Sequence, residues 1–127
     1  MILPSEELLS EILDIEEGYI ELARCDKDST ICYQYTRNAN TEDESIEYHY
    51  VNIYELAHKV KEWAFRQGYY MSSGISFNTN LWWANATPKI GGETRLETFD
   101  ADNEPEAIFQ AGEWILKDIT SKQNICG

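Results

Sequence analysis

Residues 52–77 read NIYELAHKVKEWAFRQGYYMSSGISF, and the reading of this stretch decides the fold class. Up to Arg66 the apolar positions Ile53, Leu56, Ala57, Val60 and Ala64 recur at helical spacing and form one stripe. Asn52 followed by Glu55 has the capping-box pattern, Arg66 suits the negative end of the helix, and Gly68 is a natural C-cap. From Tyr69 to Phe77 the composition turns to that of a strand. A capped helix handing over to a strand at a glycine predicts a chain that mixes the two.

The same grammar recurs on either side. Residues 5–16 read as a helix, with Ser5 as N-cap, Glu6 and Glu7 at its positive end, Leu8, Leu9, Ile12 and Leu13 as the stripe, and Gly18 as the stop. Residues 104–119 read as a third helix. Asn103 and Glu106 repeat the capping spacing, Pro105 sits in the first turn, and Ile108, Ala111, Ile115 and Ile119 form the stripe. Gly112 beside Ala111 predicts a close approach to a packing partner.

Strand signals fill the gaps: Tyr19 to Cys25, Thr30 to Thr36, Ile46 to Val51, Tyr69 to Phe77, Leu81 to Ala86 and Thr94 to Phe99. Turn residues mark Asp26 to Ser29, Asn78 to Asn80 and Pro88 to Gly92; Arg37 to Glu44, polar and aperiodic, reads as a mobile loop. The order is α-βββ-α-βββ-α. With one stripe to bury on each helix, the expectation is an α+β domain spanning residues 1–127, with three helices packed on a mostly antiparallel sheet of about six strands. Asn52, Glu55, Glu62 and Trp63 recur as Asn103, Glu106, Glu113 and Trp114 at an offset of 51 residues. This suggests an internal pseudo-repeat, against the plainer reading that helix caps look alike.

The chain has 127 residues, 23 acidic and 10 basic, for a net charge of −13. That balance argues against direct binding to nucleic acid or an anionic membrane, because phosphate contacts need Lys and Arg. A hydrophobic fraction of 43% argues equally against a disordered acidic tail. The N-terminal residues lack the pattern of a secretory signal and no apolar run is long enough for a membrane span, so a cytoplasmic protein is expected. Three cysteines, Cys25, Cys32 and Cys126, form no C-x-x-C pair and no disulfide framework.

No catalytic motif stands out. Glu55 and His58 form a Glu-x-x-His pair of the kind found in di-iron bundles, but the third helix lacks the second copy, having Phe109 where a histidine is needed. His49 with Cys25 and Cys32 would make an irregular and incomplete zinc set, even if the hairpin set Cys25 opposite Cys32. No phosphate-binding loop or nucleophile elbow is present. The expectation is therefore no enzyme activity, no cofactor and no metal.

Charge and aromatics carry more. Residues 1–56 hold 14 acidic and 3 basic side chains, whereas residues 57–127 hold 9 and 7. A field of this sign steers a cationic partner; the plainer reading is a surface that keeps the protein in solution. The residues expected to meet a partner are Glu6, Glu7, Glu11, Glu42, Asp43, Glu44 and Glu47. Tyr33, Tyr35, Tyr48 and Tyr50 are expected to form one cross-strand layer. Trp82 and Trp83, adjacent on a strand, must face opposite ways and are further candidate anchors, including for a homodimer.

From Asn52 to Ile119 the chain resembles small phage and prophage proteins of unknown function described as a phage α-β-α sandwich domain. The carrying features are Glu62-Trp63-Ala64-Phe65 closing a capped helix, a strand with Trp83-Ala84, and Asp102-Asn103-Glu104-Pro105-Glu106-Ala107-Ile108 opening the last helix. The resemblance transfers no catalytic residue. It implies a mobile-element origin, where small acidic proteins inhibit host nucleic-acid machinery. The functional expectation is a non-enzymatic, acidic protein-binding module of phage type that engages a basic host protein, as a nucleic-acid mimic. The alternative is a structural or self-associating module whose charge serves only solubility.

Overall fold

The computed structural model describes residues 3–16, 20–25, 30–89 and 97–126. The elements follow in the order α1 (Glu6–Leu13), β1 (Ile20–Cys25), β2 (Thr30–Arg37), β3 (Ser45–Asn52), α2 (Ile53–Arg66), β4 (Tyr69–Ile75), β5 (Trp82–Pro88), β6 (Glu97–Ala101) and α3 (Glu104–Cys126).

Local chemistry explains where the helices begin and end. The Ser5 hydroxyl accepts from the Leu8 N–H at 3.1 Å and opens α1. The helix stops at Leu13, a turn earlier than the sequence suggested, because Asp14 adopts a left-handed conformation with φ 55°. Gly18, the expected stop, lies outside the described residues. Asn52 is at once the last residue of β3 and the N-cap of α2, accepting from the Tyr54 N–H at 2.8 Å. Its box is not the reciprocal one expected with Glu55. The box at α3 is reciprocal: Glu106 N–H donates to Asn103 Oδ1 at 3.0 Å, and Asn103 Nδ2 donates to Glu106 Oε2 at 3.2 Å. Gln67 caps α2, and Gly68, at φ 91°, takes the left-handed residue that follows.

The expectation of one sheet of about six strands is wrong. The strands form two separate antiparallel meanders, β1-β2-β3 and β4-β5-β6. The assumption that failed is that each helix buries a single stripe. Along α3, Pro105, Glu106, Ala107, Ile108 and Phe109 are buried in succession, followed by Ala111, Gly112 and Ile115. Over residues 105–115 α3 is buried on more than one side, and a single sheet can cover only one. Here β4, β5 and β6 cover one side of α3, and α2 and α1 cover others. The helices are thus the common layer: α1 and α2 meet the first sheet, α2 and α3 the second. Gly112 makes this possible, since a Cβ there would lie 2.8 Å from Val60 Cγ1 and 3.1 Å from Leu8 Cδ2.

The core runs through all three helices, with Leu8, Leu9, Leu56, Val60, Phe109 and Ile115 fully enclosed. The two halves share their strand order, each meander being followed by a helix. Their packing differs. α3 lies across its own sheet, whereas α2 packs mainly on α3 and β4 and meets the sheet before it chiefly at β3.

Candidate functional site

The first sheet meets the helices at both ends, α1 at β1, where Ile20 is buried opposite Tyr35, and α2 at the end of β3. In β2, Ile31 and Tyr33 are buried, and their partners across the ladder are Val51 and His49. β2 stays at least half-buried through Thr36, whereas β3 is exposed on both faces from Ser45 to Tyr50 except at half-buried Glu47. The expected four-tyrosine layer does not form. Tyr33 and Tyr35 pair with His49 and Glu47 on the inner face, while Tyr48 and Tyr50 pair with Gln34 and Cys32 on the outer face. Register, invisible in the sequence, decides this: pairing Tyr33 with His49 sends the β3 tyrosines to the opposite side.

The turn that joins the strands is organised. Arg37 belongs to β2, and Asn38 and Asn40 take left-handed conformations at φ 55° and 66°, which asparagine tolerates. Thr41 N–H donates to the Asn38 carbonyl at 3.2 Å, and its hydroxyl donates to the same oxygen at 2.7 Å. The Glu44 carboxylate folds back to accept from the Asn40 N–H at 2.9 Å. Glu44 is thus spent on shaping the turn, whereas Glu42 and Asp43 are exposed.

Glu47 is also engaged. Arg37 Nε donates to one of its oxygens at 2.9 Å and Arg37 Nη2 to the other at 3.2 Å, with His49 Nε2 3.3 Å from the latter. The guanidinium, followed by the imidazole, holds the Glu47 carboxyl below its ordinary range, and Glu47 pushes Arg37 up. The His49 ring in turn stacks on Tyr33 at 5.1 Å between centroids, and burial raises the Tyr33 hydroxyl.

On α1, Glu6, Glu7 and Glu11 are exposed, on the side away from Leu8, Leu9 and Ile12. Among the described residues, no ion pair engages Glu6, Glu7, Glu11, Glu42 or Asp43. Trp82 and Trp83 lie half-buried on β5, the centre of the second sheet, on opposite faces. The Trp83 indole covers Gly74, where an added Cβ would come within 2.7 Å of it. The exposed aromatics are elsewhere, with Tyr48 at 60% and Phe77 at 96%. Sequence reasoning missed them as anchors; the available signal was a β3 rich in aromatics and free of Lys and Pro.

Groups that could do chemistry serve as ties. Lys61 Nζ donates to the Ser73 hydroxyl at 2.8 Å, and that hydroxyl donates to Glu104 at 2.9 Å, joining α2, β4 and α3. The serine donates its proton to a carboxylate, while the lone pair a nucleophile would use is engaged by an ammonium. His58 pairs with Glu62 at 2.9 Å on the open face of α2. Cys32 and His49 sit on opposite faces of the first sheet. No helix among the described residues is long and apolar enough to cross a membrane. Compared with protein-family models, curated proteins and solved structures, the chain matches none.

Proposed function

We propose that this chain is a non-enzymatic, acidic protein-binding module that docks a basic protein. The observation that carries the reading is the set of exposed carboxylates, Glu6, Glu7 and Glu11 on α1 and Glu42 and Asp43 at the β2–β3 turn, with no intramolecular cation to neutralise them among the described residues. Exposed carboxylates without counter-charges cost stability by self-repulsion and lower the free energy of meeting a cationic surface. Both sets stand on ordered elements, a capped helix and a hydrogen-bonded turn, so little ordering entropy is spent on docking. The partner in this reading is a nucleic-acid-binding protein whose groove accepts carboxylates in place of phosphates, met in the cytoplasm, and a phage or prophage origin fits such a role. Glu44 and Glu47 act by shaping and bracing the turn.

The immobilised chain is tested for retention of DNA-binding proteins at low salt, with duplex DNA as competitor. The retained proteins should be basic, should leave at high salt or when DNA is added, and should not be held by a variant carrying Glu6→Lys, Glu42→Lys and Asp43→Lys. Retention unaffected by those three changes overturns the reading.

A further inference from the structure

We infer that the free edge of β3 is a strand-addition site for an extended, Lys- or Arg-bearing segment of a partner protein. This inference rests on the acidic docking reading and adds to it a mode of binding. Among the described residues β3 pairs only with β2, through eight consecutive residue pairs without a bulge, so from Ser45 to His49 its other edge faces no partner strand among them. Edge strands are normally blunted by Pro, by Lys, by an uncompensated charge or by a bulge. None of these occurs in SIEYHYVN, where the one charged side chain, Glu47, is neutralised by Arg37. The outer face of the strand adds apolar cover for an incoming chain, with Ile46 at 52% and Tyr48 at 60% exposed.

Charge selects the occupant. From Asn38 to His58 there are five acidic residues and no Lys or Arg, and Glu42 and Asp43 stand at the entry to the strand. A second copy of the chain would bring the same acidic segment and another net charge of −13 against this edge, which disfavours self-pairing. A basic strand meets no such penalty. Its alternate side chains fall on Ile46 and Tyr48, where Lys or Arg stems pack on the isoleucine and, with cation–π attraction, on the tyrosine ring.

The probe is the acetylated and amidated heptapeptide Lys-Val-Lys-Val-Lys-Val-Lys, compared with the same sequence N-methylated at every residue. Both peptides carry the same charge, and only the first can donate main-chain hydrogen bonds. Affinity is read by titration, and the edge by amide hydrogen exchange on the intact chain. The expected result is slowed exchange at alternate β3 amides with the first peptide, and affinity about tenfold or more weaker for the methylated one. Equal affinity of the two peptides overturns strand addition and leaves the acidic reading standing. Binding of neither peptide, or binding indifferent to Glu42→Lys with Asp43→Lys, removes the acidic reading and this inference with it. Slowed β3 exchange without peptide in a chain that sediments as a dimer shows the edge filled by a second copy, and overturns the proposal.

Discussion

Gly112 and Glu47 show how much rests on single side chains. Gly112 lies where α3 passes Val60 and Leu8, both fully enclosed and unable to swing away. Ala gains up to about 1 kcal/mol over Gly in a helix interior, but overpacking a closed core costs about 1–3 kcal/mol. Gly112→Ala is therefore expected to lower the urea midpoint, with a net loss of up to about 2 kcal/mol. Glu47 has a carboxyl held below its ordinary range by Arg37 and His49. Its contribution is present above the unfolded glutamate pKa and is lost as pH falls through the depressed folded value. An NMR titration of the Glu47 side-chain carboxyl should give a midpoint below that of glutamate in an unstructured peptide, and Arg37→Ala should move it upward.

At the scale of elements, helix ends depend on polar partners that are partly local and partly distant. Asn103 and Glu106 cap α3 from three residues apart, and this box is legible from spacing alone. Asn103→Ala should cost about 1 kcal/mol in chemical denaturation. The start of α1 depends on a contact that no local pattern announces. Glu113 of α3 accepts from both the Ser5 N–H at 2.9 Å and the Ser5 hydroxyl at 2.8 Å, across 108 residues. Hydrogen bonds to a charged acceptor contribute about 1.5–3 kcal/mol, so Glu113→Ala should destabilise by an amount in that range. It should also speed amide exchange in α1 before any change appears in the second sheet. The sequence pairs Glu113 with Glu62 as equivalent positions of a repeat, yet Glu62 faces outward to His58. Equal spacing does not give equal roles once the two helices sit in different surroundings.

For the whole molecule, stability and interaction are separated in space. The enclosed core draws on the three helices and both sheets, the first through Ile20, Ile31 and Tyr33, and Phe109 is fully buried in it. Phe109→Ala should cost about 3–5 kcal/mol, a large share of an ordinary domain's stability, read as a strongly lowered urea midpoint. The β2–β3 hairpin projects from that core with its carboxylates and its open edge. Changes at Glu42, Asp43 or Tyr48 are accordingly expected to leave the thermal midpoint almost unmoved while altering partner capture. A salt titration of capture should show association slowing as ionic strength rises, as electrostatic steering requires.

Sequence alone determined what depends on neighbours in the chain: the α+β class, three capped helices, the strand segments and the concentration of acidic side chains before residue 57. These follow from spacing, capping chemistry and charge counts, each readable within a few residues. The tertiary structure decided which strand edges pair, hence two meanders in place of one sheet, because periodicity identifies a buried face and says nothing about an edge. It also decided that Tyr33 turns inward while Tyr48 turns outward, and that Glu44 and Glu47 are occupied while Glu42 and Asp43 have no ion-pair partner among the described residues. Those outcomes depend on register and on cations brought close by folding, and a one-residue slip or a different sheet partner would reverse each of them.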